Sequence, residues 1–110
     1  MFIERKVTDT ICLLHEATSG KPLETLWREA RRKGELDVPF HFLVQASGVL
    51  ETGRPLQAVA GRLYPRNEST VYILLDAKDN NTITDAQKKT LKEILKELKA
   101  KFPGVQTVKV

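Results

Sequence analysis

The stretch that most limits what this chain can become is STVYILLD, residues 69 to 76. From Val71 to Leu75 every residue is β-branched, aromatic or aliphatic, and no polar residue marks a solvent face. So short an apolar run between turn-forming residues reads as a strand, and without alternation it has to be covered on both faces. The chain must therefore supply a sheet in which this strand is interior, and something to cover each side.

The remaining segments provide those parts. TDTICLL packs Ile11, Leu13 and Leu14 into a second buried strand, and HEATSGKP after it is loop chemistry. PLETLWREARRKG places Leu23, Leu26, Trp27 and Ala30 at helical spacing, with Pro22 suited to a first turn and Gly34 to a C-terminal cap. Phe40, Phe42 and Val44 alternate with His41, Leu43 and Gln45, and ASG then turns into VLETGR, so residues 40 to 52 are expected to form a hairpin. Thr84 followed three residues later by Gln87 is a capping box for a helix whose apolar stripe is Ala86, Leu91, Ile94, Leu95 and Leu98. FPG ends that helix, and VQTVKV suits a last strand. The expected fold class is α/β, a single domain over residues 1–110 with a central mixed β-sheet and a helix on each face.

Composition narrows the function classes. With 41% apolar and 29% charged residues the 110-residue chain has the balance of an ordinary globular domain. No apolar run approaches the roughly 18 to 20 residues of a membrane span, and MFIERKVTDT lacks a signal peptide's apolar region, so no membrane partner and a cytoplasmic location are expected. Cys12, the single cysteine, lies in an apolar strand and is read as a buried, inert thiol. The net charge is +4 and concentrates between Thr84 and Lys101, where six lysines oppose Asp85, Glu93 and Glu97. That is the pattern of a solvated helix face, which argues against a nucleic-acid partner.

Taken in order, the apolar strand ending in LLHEAT, a helix, GELDVPFHFLVQASGVLETGR, AVAG, NESTVYILL and ITDAQKKTLKEILKEL resemble the zinc-dependent N-acetylmuramoyl-L-alanine amidases. The resemblance is strongest to the short phage lysozymes of that class, and peptidoglycan recognition proteins share the fold. It spans about residues 7 to 110. What it implies is an enzyme that cuts the amide between muramic acid and the first alanine of the peptide stem, with zinc held by two histidines and a cysteine or carboxylate. On that pattern His15 falls on the first zinc ligand, and His41 matches a structural histidine whose side chain points away from the metal. Phe40 replaces a tyrosine and Arg62 a histidine of the loop after AVAG. The segment in which the resemblance places the later ligands would begin at about the point where VQTVKV stops.

A catalytic zinc needs three protein ligands and an open position. Cys12, three residues before His15 on one strand, projects to the opposite face, so no metal, no cofactor and no catalytic residue are expected. No Ser/His/Asp set and no phosphate-binding glycine loop can be placed either. The expectation is a phage-encoded pseudoenzyme that binds an anionic small molecule, such as a nucleotide-type defence signal, in the former substrate cleft. By transfer from the family that cleft comprises His15, Thr18, Trp27, Arg31, Phe40, Arg62, Tyr64 and Asn67, with Arg62 supplying guanidinium donors. Two alternatives stand beside it: an interaction module that inhibits a host or phage enzyme, and a residual N-acetylmuramoyl-L-alanine amidase. The edge strand VQTVKV also offers a pairing surface to a second copy.

Overall fold

The computed structural model describes residues 7–18, 20, 21, 23–33, 40–59 and 69–109. Their elements run β1 (Thr10–His15), α1 (Leu23–Arg32), β2 (Phe42–Val44), β3 (Leu50–Thr52), β4 (Thr70–Leu75), a 3-10 turn (Asn80–Thr82), α2 (Asp85–Lys101) and β5 (Gln106–Lys109). The sheet has the order β3-β2-β4-β1-β5. β1 pairs in parallel with both β4 and β5, β2 pairs in parallel with β4, and β3 closes the other edge antiparallel to β2. This is the mixed sheet expected from the sequence, and β4 is its central strand with all six residues buried.

Each face carries one helix. Ile11, Leu13, Phe42, Val44, Val71, Ile73 and Leu75 form one core with Ile94 and Leu98 of α2. Cys12, Leu43, Tyr72 and Leu74 form the other with Ala30 of α1 and with Phe40, and Leu23 and Leu26 pack at its margin. Period-2 alternation along β1, β2 and β4 produces this division directly. Each large aliphatic side chain so buried contributes about 1.5–3 kcal/mol.

Two details depart from the sequence reading. Phe40 was expected to share a face with Phe42, but it lies in the α1-side core. The ladder starts only at Phe42 and the chain bends at His41, so the alternation does not carry back across the bend. Ala86 was expected in the apolar stripe of α2, yet it is exposed and Gln87 is wholly buried instead. Gln87 closes the expected capping box: its Oε1 accepts from Thr84 N at 2.9 Å and Thr84 Oγ1 accepts from Gln87 N at 3.0 Å. Its Nε2 then donates to Val44 O and to Asp76 O, both at 3.0 Å, which ties α2 to the ends of β2 and β4. Three satisfied hydrogen bonds outweigh the cost of burying an amide. At the hairpin turn Gly48 has φ +90, and a Cβ there would lie 3.0 Å from Ala86 Cβ, so the turn needs glycine for both conformation and space. Pro22 and Gly34 lie outside the described residues. No described helix is long and apolar enough to cross a membrane.

Candidate functional site

Because β1, β2 and β4 run parallel, their C-terminal ends lie together, and register puts His15, Val44 and Leu75 at one level. In open α/β sheets the crevice outside these carboxyl ends is where ligands bind. His15 occupies that position on β1. It is half-buried, and its Nε2 is buried with no hydrogen-bond partner among the described residues.

The loop that follows β1 is held from two sides. The Asp76 carboxylate, at the end of β4, accepts from Thr18 N at 2.7 Å and from Gly20 N at 3.3 Å. Lys21 reaches the other way to Glu29 of α1 at 2.7 Å, and this ion pair lowers the Glu29 carboxyl below its usual range. Thr18 itself is 6% exposed, and its hydroxyl also lacks a partner among the described residues. A buried polar atom left unpaired costs about 1–3 kcal/mol. Two of them within four residues of one strand end therefore single out a place where a ligand could complete the bonding.

The other expected site residues are distributed differently. Trp27 is 37% exposed on the flank of α1, and the Arg31 guanidinium lies 4.6 Å from its ring centroid, so the two form one exposed cation–π unit. Phe40 is 3% exposed beneath α1, four residues before the Val44 level, and so lies at the other end of β2 from His15. Arg62, Tyr64 and Asn67 fall outside the described residues. His41 is committed to the backbone: Nδ1 accepts from Tyr72 N at 3.0 Å, so Nε2 carries the proton and donates to Ala58 O at 2.6 Å. That leaves it no nitrogen for a metal.

Sequence reasoning passed over three side chains. Asp76 clamps the loop after β1, and the acid closing STVYILLD at the sheet's carboxyl edge was the signal that could have marked it. Glu51 accepts from Leu23 N at the start of α1 and from Gln45 Nε2. Arg54 sits beside Phe40, donating its backbone N–H to Phe40 O, and its Nε is buried without a partner among the described residues. Near the strand ends the Asp76 carboxylate is taken up by the N–H groups of Thr18 and Gly20, and the Lys21 ammonium by Glu29.

The zinc that the family resemblance implies can be set against these side chains. The unpaired Nε2 of His15 has the chemistry of one ligand. Among the described residues, however, no group of three or more His, Cys, Asp or Glu side chains could hold a metal. One donor is not a metal centre, and what these residues offer by themselves is binding and orientation.

No protein-family model matches the chain. Four curated phage proteins named endolysin do, at 31–33% identity over 93–94% of the chain and 74% of their own length. The endolysin of Klebsiella phage KP32, for instance, is 31% identical over 112 residues. Among solved structures, the N-acetylmuramoyl-L-alanine amidase LysC of Clostridium intestinale superposes with a TM-score of 0.88 over 99% of this chain and 73% of its own, at 18% identity. The peptidoglycan recognition protein PGRP-Hd of Alvinella pompejana gives 0.86 over 100% and 77%, at 15% identity. At such identities the structures establish the fold.

The sequence relatives correct one expectation. A pseudoenzyme was expected because later zinc ligands would fall beyond Val110, whereas four relatives named for a lytic enzyme align with nearly the whole chain. Where this sequence stops is not evidence about chemistry, and the inference of inactivity is withdrawn.

Proposed function

The chain belongs to the phage endolysin family, on the fold shared by N-acetylmuramoyl-L-alanine amidases and peptidoglycan recognition proteins, and from that premise we propose that it is an amidase-type endolysin. The substrate on this reading is peptidoglycan, and the bond cut is the amide joining muramic acid to the first alanine of the stem peptide. The observation in the chain that supports it is His15, a histidine at the carboxyl end of an interior parallel strand with a buried, unpaired Nε2. A structural histidine at such a place would have found a partner, as His41 has.

On the same reading the loop after β1 forms one wall of the substrate crevice. Trp27 and Arg31, exposed on α1, offer a flat apolar surface with a cation over it, which suits the pyranose ring and the peptide of a muropeptide.

The test is digestion of purified peptidoglycan, with and without added zinc, followed by mass spectrometry of the soluble products. Free stem peptides with a new alanine amino terminus are expected, and their loss on His15→Ala should accompany an unchanged circular dichroism spectrum. Intact peptidoglycan under both conditions, or cleavage within the glycan strand, would overturn the reading. A requirement for zinc would identify the metal as part of the site, and activity undiminished by chelation would remove it.

A further inference from the structure

The two flanks of α2 differ in what they present. Thr90 reaches the hairpin turn on one side, and Ile94 and Leu98 point into the core. At about 100° per residue, the flank away from the hairpin then carries Leu91 and Leu95 at the border of the core, with Lys88, Lys92, Lys96 and Lys99 outside them. These six residues line an open groove of about 540 Å³. Leu91 and Leu95 are half-buried and form its floor, and the four lysines are exposed along its rim over about 16 Å of helix. Lys109 of β5, level with Leu13 of β1, adds an exposed ammonium on the same face of the sheet.

The acids of the helix stand apart from this rim. Asp85 is in the first turn, where the helix dipole favours it, and Glu93 and Glu97 turn towards the Thr90 side. Lys89 with Glu93, and Glu97 with Lys101, have the spacing of i,i+4 ion pairs. Among the described residues, however, the ion pairs are Lys21 with Glu29 and Arg28 with Glu24, so the lysines of α2 are uncompensated.

We propose that this flank is a docking surface for an anionic phospholipid bilayer, on which the protein rests peripherally with α2 parallel to the membrane plane. The make-up of the face favours lipid over other polyanions. α2 contains no arginine and no aromatic residue, the side chains in which protein interfaces concentrate binding energy and on which single-stranded nucleic acid stacks. Two half-buried leucines are also too little for the apolar centre of a protein interface, where lysine is depleted. Lysine is a flexible, strongly hydrated point charge. It gains from a layer of headgroup phosphates without being held in one geometry, by about fivefold in partitioning for each ammonium near the surface. The lysine stems and the leucines between them offer methylene surface to the boundary of headgroups and acyl chains. Charge excludes a second copy as the occupant, because a chain of net charge +4 would set lysines against lysines. The surface makes no use of His15 or of the loop after β1, so it stands or falls independently of the amidase reading.

The experiment is co-sedimentation of the protein with sucrose-loaded vesicles, one set of pure phosphatidylcholine and one containing an equal part of phosphatidylglycerol. Binding is expected to the mixed vesicles and not to the neutral ones, and it should disappear as salt rises to about 0.5 M and screens the charges. The double variant Lys92→Gln, Lys96→Gln should partition about 25-fold more weakly with an unchanged circular dichroism spectrum. Arg32→Gln with Lys33→Gln removes the same net charge from the end of α1, which packs on the other face of the sheet. That variant should bind less than about threefold more weakly, because its charges lie beyond the screening length from the bilayer. No binding to the mixed vesicles would overturn the proposal, as would equal losses in the two double variants. Poly-glutamate at matched charge serves as a soluble competitor. Protein retained on the vesicles in its presence supports lipid, whereas release, with poly-glutamate binding lost in the α2 variant, would assign the face to an acidic protein and overturn the lipid assignment.

Discussion

Single residues separate the structural from the functional in this protein. His41 and His15 are both histidines at apolar strand ends, yet one has both ring nitrogens bonded to the main chain and the other keeps Nε2 unpaired. The ring of His41 also stacks on Tyr72 at an interplanar angle of 8°, so it acts as a buried cross-strand brace. Cys12 belongs with His41. Burial pushes its thiol from 9.0 up to about 11, leaving it protonated and unreactive near neutrality. Native protein at pH 8 should therefore resist alkylation by iodoacetamide, while protein in concentrated urea should react fully. The shift also fixes the sign of a pH effect. Between about pH 9 and 11 the unfolded thiol has lost a proton that the folded one keeps, so this group's stabilising contribution is complete below that window and is lost as pH rises through it. Urea titrations should show a shallower loss of stability across that interval in Cys12→Ala than in the wild type.

At the scale of elements, the junction of α2 with the sheet does most to hold the crevice in shape. Gln87 reaches the ends of β2 and β4, Thr84 Oγ1 donates to Ala46 O at 2.7 Å, and Thr90 Oγ1 donates to Gly48 O at 2.6 Å. Three polar side chains thus fix one helix to the hairpin turn and to the strand that ends in Asp76. Replacing Gln87 by Leu keeps the volume but strips Thr84 N and Asp76 O of their partners, while Val44 O keeps its bond from Asp76 N. The expected cost is about 2–3 kcal/mol in chemical denaturation. A change below about 0.5 kcal/mol would mean that water replaces the amide. The capping box was visible in the sequence because it is local, four residues long and chemically specific. The inward reach of Gln87 was not, since its two carbonyl partners lie 43 and 11 positions away.

For the whole molecule, the sheet order predicts how stability is distributed. β4 and β1 are interior, paired on both sides and packed against apolar side chains, whereas β3 and β5 are edges whose residues are half-buried or exposed. Amides of Ile11 to Leu14 and Val71 to Leu75 should exchange slowest with deuterium, and those of β3 and β5 at least about tenfold faster. Uniform protection across the five strands would contradict that ordering. STVYILLD by itself determined that such a centre exists, because an uninterrupted apolar run of that length has one stable use. Periodicity and capping similarly determined both helices, the hairpin and the class of fold, all of them consequences of short-range chemistry. Only the tertiary structure decided that Phe40 turns under α1, that Gln87 displaces Ala86 from the core, and that Asp76 closes on Thr18. Those outcomes depend on register and on bends between elements, which set where strand ends meet and which are not encoded in any one stretch of the chain.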